Sequence, residues 1–223
     1  MTDTPTVAVR GEATREVEPE IAQFSVTVAA RDKDRSRTLS RLADRAQAVR
    51  AVIEGYGDAI ERTETSGLRV YPEMKRSGEK VGAYQGSVTT TVTVSDFGVL
   101  GEVILRLADQ DQTSVAGPWW SLRRQSPVYR QARRDAIDDA LNRARDYADA
   151  LGARVVRLVE LADAGLSSAP IPLARGGAGG MAFRSMAATE GEPRIELDPQ
   201  RQTVHAEVEA RFEISEPGVL AGD

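Results

Sequence analysis

Cysteine is absent from this 223-residue chain, and histidine occurs once, as His205. The first absence excludes disulfides, thiolate nucleophiles and cysteine metal sites. The second excludes a multi-histidine metal cage and leaves one imidazole as a base, while carboxylate sites for hard cations stay open. No stretch approaches the roughly 18 apolar residues that would span a bilayer. The opening, Met1 to Val7, has neither the basic start nor the apolar run of a secretory signal, which sets the expectation of a cytoplasmic protein. An excess of positive charge is also missing, with 29 Lys plus Arg against 34 Asp plus Glu and a net charge of -5. Such a balance gives no long-range pull toward a phosphate backbone, so nucleic acid is not an expected partner, although a local basic patch stays open. What is present is ordinary globular material: 41% hydrophobic and 28% charged residues argue against disorder of the whole chain.

Hydrophobic periodicity organises that material. A short edge-like strand from Thr6 to Arg10 is followed by Gly11 and an acidic stretch that punctuate the chain. Next comes a strand with Ala22, Phe24, Val26 and Val28 on one face and Gln23, Ser25 and Thr27 on the other, the period of a half-buried sheet. From about Asp34 the period lengthens: Leu39, Leu42, Ala43, Ala46, Val49, Val52, Ile53 and Tyr56 mark an amphipathic helix closed by Gly55 and Gly57. Between Ile60 and Val94 two long strands flank a polar hairpin loop, Lys75 to Lys80. Ser95 or Asp96 caps a short helix over Phe97 to Leu107, and a strand follows from Thr113 to Leu122, interrupted at Gly117 and Pro118. Ser126-Pro127 opens a third helix rich in alanine, which Gly152 stops.

Arg154 to Leu161 reads as a β-branched strand. After it, the Gly/Pro-rich segment 164–193 reads as a flexible excursion within one domain of residues 1–223. The final strand alternates Val204, Ala206, Val208, Ala210, Phe212 and Ile214 inward against His205, Glu207, Glu209, Arg211 and Glu213 outward. Helices interrupting long, half-polar strands predict an α+β fold of antiparallel strands covered by amphipathic helices.

The candidate contact residues follow from this layout. Adjacent strand residues point to opposite faces, so one of Trp119 and Trp120 enters the core and the other is offered to a neighbour. Arg123, Arg124, Arg130, Arg133 and Arg134 gather guanidinium groups around one end of the third helix, a chemistry suited to an acidic ligand or partner. Met181, Phe183 and Met186 lie among glycines that would give them reach as apolar anchors. The glycines Gly176 to Gly180 lack the Lys-Ser or Lys-Thr of a phosphate loop. Asp135, Asp138 and Asp139 read as an arginine-balanced helix face, and His205 as an ordinary sheet residue, rather than as ligands of a metal. No nucleophile elbow or ordered triad supports catalysis, so no cofactor and no enzyme activity are expected.

Several segments together resemble the SIMPL domain family, the periplasmic immunogenic protein or outer-membrane protein 28 group. They are Gly11-Glu12-Ala13, the helix from Leu39 to Ile53, Thr63-Glu64-Thr65 leading to Leu68, Val70, Tyr71 and Pro72, and Gly82 to Ser87 with the strand to Val94. Tyr129 to Ala136, Ala140, Ala144, Gly152 and the strand through Val155 continue the likeness. The resemblance implies two interlocked small subdomains, no accepted enzyme activity, and in some relatives assembly into large rings or channel-like oligomers. The leading functional expectation is a noncatalytic, self-associating structural or interaction protein. A binding module for an acidic ligand or partner is the alternative, and an uncharacterised hydrolase the weakest reading.

Overall fold

The computed structural model describes residues 4–75, 78, 80–164 and 195–220. Among them run seven strands and three α-helices in the order β1 (Thr6–Val17), β2 (Ile21–Asp32), α1 (Arg35–Glu54), β3 (Ile60–Met74), β4 (Val81–Val94), α2 (Leu100–Ala108), β5 (Thr113–Ser121), α3 (Pro127–Ala150), β6 (Val155–Asp163) and β7 (Gln202–Ile214). All pairings are antiparallel, in a four-stranded sheet β3-β4-β2-β5 and a three-stranded sheet β1-β7-β6. The α+β architecture is therefore present. The chain divides into two compact units, one holding β2 to β5 with α1 and α2, the other holding β1, α3, β6 and β7. Neither is a simple half: the chain starts in the second unit, leaves it after Val17 and returns for α3.

In the four-stranded unit the alternation of β2 sets the core. Ala22, Phe24, Val26 and Val28 are buried together with Val92 and Val94 of β4, under Leu42, Val49 and Ile53 of α1 and Leu100, Val103 and Leu107 of α2. Each large apolar side chain withdrawn from water contributes about 1.5–3 kcal/mol. The opposite face carries paired polar side chains: the Thr27 and Thr89 hydroxyls lie 2.9 Å apart, the Gln23 amide donates to Thr93, and Thr91 donates to Ser66 of β3. Helix α1 starts where Asp34 accepts the Arg37 amide, which satisfies one of the free N–H groups of its first turn. Its expected stripe holds at Leu42, Ala46, Val49, Val52, Ile53 and Tyr56 and departs at its start, where Thr38 is buried while Leu39 and Ala43 are exposed. The Thr38 hydroxyl donates to the carbonyl of Asp34, one turn back, so its burial leaves no hydroxyl unsatisfied. Gly55 is right-handed, and the left-handed residue sits two positions on at Gly57.

In the three-stranded unit β1 does not end at Arg10. It runs through Gly11 to Val17 and pairs with β7 along its whole length. Gly11 lies against α3, where Ala132, Ala136, Ala140, Ala144 and Ala148 form the buried face. A Cβ placed on Gly11 would collide with the Ala136 carbonyl oxygen and the Ala140 amide. The glycine and the alanine stripe are thus one device that seats a helix backbone nearly on a strand. At the other end of α3, Gly152 is left-handed while its N–H and that of Ala153 close on Asp149 and Ala148, the hydrogen-bond pair that terminates a helix at glycine.

Candidate interaction surface

The two tryptophans separate as adjacent strand residues must. Trp120 turns toward the four-stranded core and meets Phe97 edge-to-face at 4.9 Å, while Trp119, beside Gln23, leaves 53% of its surface exposed. Trp120 is thereby a packing residue and Trp119 an available contact.

The arginines do not act as a set. Arg123 is ion-paired with Glu61 at 2.6 Å and also reaches Glu20. Arg124, Arg130 and Arg133 line an open cleft of about 530 Å³ at the start of α3, with Ser126 and Tyr129. Among the described residues no carboxylate lies within ion-pair distance of these three or of Arg134, which stays exposed outside the cleft. Met181, Phe183 and Met186 lie outside the described residues.

The acidic side of α3 is engaged in holding β1. Asp135 receives the Arg15 guanidinium and the Gln131 amide, and the Arg15 hydrogen bond, followed by that from Gln131, holds its carboxyl below the usual aspartate range. Asp139 accepts the Glu12 amide at 2.9 Å and pairs with Arg143. Among the described residues no group of three or more His, Asp or Glu is arranged for a metal ion. His205 Nδ1 lies 3.0 Å from the Thr14 hydroxyl across the β1–β7 pair, an ordinary cross-strand contact.

Four strand edges remain, and their chemistry differs. An edge presents unpaired N–H and C=O groups that template further pairing unless charge, bulges or cover intervene. On β1 the Glu12 amide is capped by Asp139. Edge β3 carries Glu61, Arg62, Glu64, Arg69 and Glu73 and three register shifts. Edge β5 shifts register next to Gly117. Edge β6 has bulges and charges of its own but differs in its apolar exposure: Val156, Leu158, Val159 and Leu161 are 45–54% exposed on a strand that, among the described residues, pairs with β7 alone. Nothing in the sequence singles these residues out, because a β-branched run reads equally well as a buried strand.

Two bulges shape β6. Register shifts at Val156 and Val159 leave Arg157 opposite Glu213 and Glu160 opposite Arg211. Glu213 and Arg211 share a face of β7, so Arg157 and Glu160 share the corresponding face of β6. Both cross-strand pairs are ionic, Arg157–Glu213 at 2.5 Å and Arg211–Glu160 at 4.0 Å. Val155, Leu158 and Leu161, opposite Ile214, Phe212 and Ala210, fall on the other face, the one packed by α3.

Residues 7–212 match the family model SIMPL, described as a protein of unknown function (DUF541). Over 219 residues, covering 93% of this chain and 84% of the relative, the sequence is 24% identical to the 26 kDa periplasmic immunogenic protein of Brucella melitensis biotype 1. It is similar to the same extent to the protein of that name from Brucella abortus strain S19. These names overturn the expected cytoplasmic location. An export signal is a short segment removed from the mature chain and absent from its core, so the residues from Met1 to Val7 do not decide the compartment.

Proposed function

The chain belongs to the SIMPL family, and from that premise we propose that it is a noncatalytic structural or protein-interaction protein of the periplasm that works by self-association. The observation that carries this reading is the apolar edge of β6, four large side chains about half exposed on a strand whose second hydrogen-bonding side has no partner among the described residues. Burying such side chains is favourable, and a free edge supplies directional hydrogen bonds as well. The periplasmic setting rests on the names of the two relatives. Light scattering over a concentration series tests the reading: a mass above that of one chain, rising with concentration, is expected, and a monomer throughout overturns it.

A second reading, capture of an acidic ligand, is favoured by the cleft of Arg124, Arg130 and Arg133, whose guanidinium groups lack carboxylate partners among the described residues. Inorganic phosphate titrated into the protein would then produce a saturable change that Arg130→Ala removes. An equal response from that variant sinks this reading.

A further inference from the structure

The order of charges along β6 specifies the partner that its edge fits. On one face the strand carries Arg157 and Glu160, with Leu158 between them on the opposite face. If two copies of this edge meet antiparallel around a two-fold axis at Leu158, each Arg157 stands opposite Glu160 of the other copy. The two Leu158 side chains then face each other, and each Val155 meets a Leu161. Opposed residues must share a face of the joined sheet. A regular strand would fail this condition, because residues three apart point to opposite sides. The bulge at Val159 is what brings Arg157 and Glu160 onto one side.

We propose that β6 is a self-complementary dimer seam: two copies pair antiparallel through β6 about Leu158, joining the two three-stranded sheets into one. The proposal rests on the self-association reading and names its surface and register. Charge argues for a second copy of this chain over an unrelated strand. Across the seam the charged row runs Glu213, Arg157, then Glu160 and Arg211 of the second copy, alternating in sign at each step, and the two-fold axis repeats the row. An isologous interface requires this kind of self-complementarity. The other face supplies apolar contact from Val155, Leu158 and Leu161. The bulges and charges that make β6 a poor template for arbitrary strands thus leave it one good partner.

The absence of cysteine makes the test direct. Directly opposed antiparallel residues have Cα atoms about 4.5–5.5 Å apart, within reach of a disulfide. Leu158→Cys, at an exposed position, is expected to form a covalent dimer on mild oxidation, and Leu68→Cys on the exposed β3 edge is not. Val155→Cys and Leu161→Cys are each expected to link only when the two variants are mixed. Independently, Arg157→Glu and Glu160→Arg should each lower the dimer fraction at least tenfold. An equimolar mixture, an acidic edge against a basic one, should restore it. If the native protein self-associates but Leu158→Cys stays unlinked and the mixture stays monomeric, this seam is wrong and self-association stands on another surface. If the native protein is a monomer at every concentration, the seam and the self-association reading both fall.

Discussion

Gly11 is the position where one added methyl group has most to displace. Its Cβ would have to push back the α3 backbone at Ala136 and Ala140, which cannot yield as a flexible side chain would. Gly11→Ala is therefore expected to cost about 1–3 kcal/mol or more, seen as a lower urea midpoint. Asp135 makes a different demand. Its pKa in the folded protein is depressed, chiefly by Arg15. The Arg15 contact therefore adds stability above the unfolded aspartate pKa, about 3.9, and that stability is lost as pH falls through the lower folded value. Urea midpoints measured through the acid range should decline less steeply for Asp135→Asn than for the parent; an unchanged slope counts against the Arg15 contact. Of these two residues only the aspartate is legible in the sequence, as one member of an arginine-balanced helix face. Gly11 reads there as punctuation because glycine weakens a strand by default. What makes it a strand residue is the alanine stripe some 125 residues later, a tertiary partner that a local pattern cannot contain.

Elements whose ends are written in their own residues are the most legible. Ser126-Pro127 and Gly152 bound α3 as expected, and since Gly152 is left-handed, Gly152→Ala should cost about 1–2 kcal/mol. A thermal melt unmoved by that change would contradict the left-handed helix stop. The alternation of β2 and β7 is equally plain, because each has one face under helices. For helix α1 the sequence marks the span and most of the buried line, but not its first turn. Thr38 lies one turn before Leu42 on the buried face, and its hydroxyl tolerates that burial by returning its hydrogen bond to the preceding turn of its own helix, a tolerance that hydrophobicity does not register. Strand β6 shows the larger gap. Its residues announce a strand, yet whether it lies inside or at the rim of a sheet depends on β7, far away in the chain. The bulge that aligns Arg157 with Glu160 depends on that same partner.

At the scale of the molecule the two units differ in continuity. Residues 18–123 hold β2 to β5, α1 and α2 in one uninterrupted stretch, with a core drawn almost wholly from within it. A fragment of those residues is expected to unfold cooperatively by circular dichroism, weakened by loss of the 195–201 segment, whose Ile195 carbonyl lies against Gly101. A fragment without a cooperative transition would show that the core needs the rest of the chain. Periodicity alone leaves open whether the strands make one sheet or two; the pairings give two.

The pairing of β1 with β7 sets Thr6 opposite Glu213. Among the described residues β1 therefore has no sheet neighbour until β7 is in place, and until then the alanine face of α3 has only part of the surface it packs against. Contacts this distant in sequence form slowly. The three-stranded unit is thus shut by a pairing that spans almost the whole sequence, like a clasp.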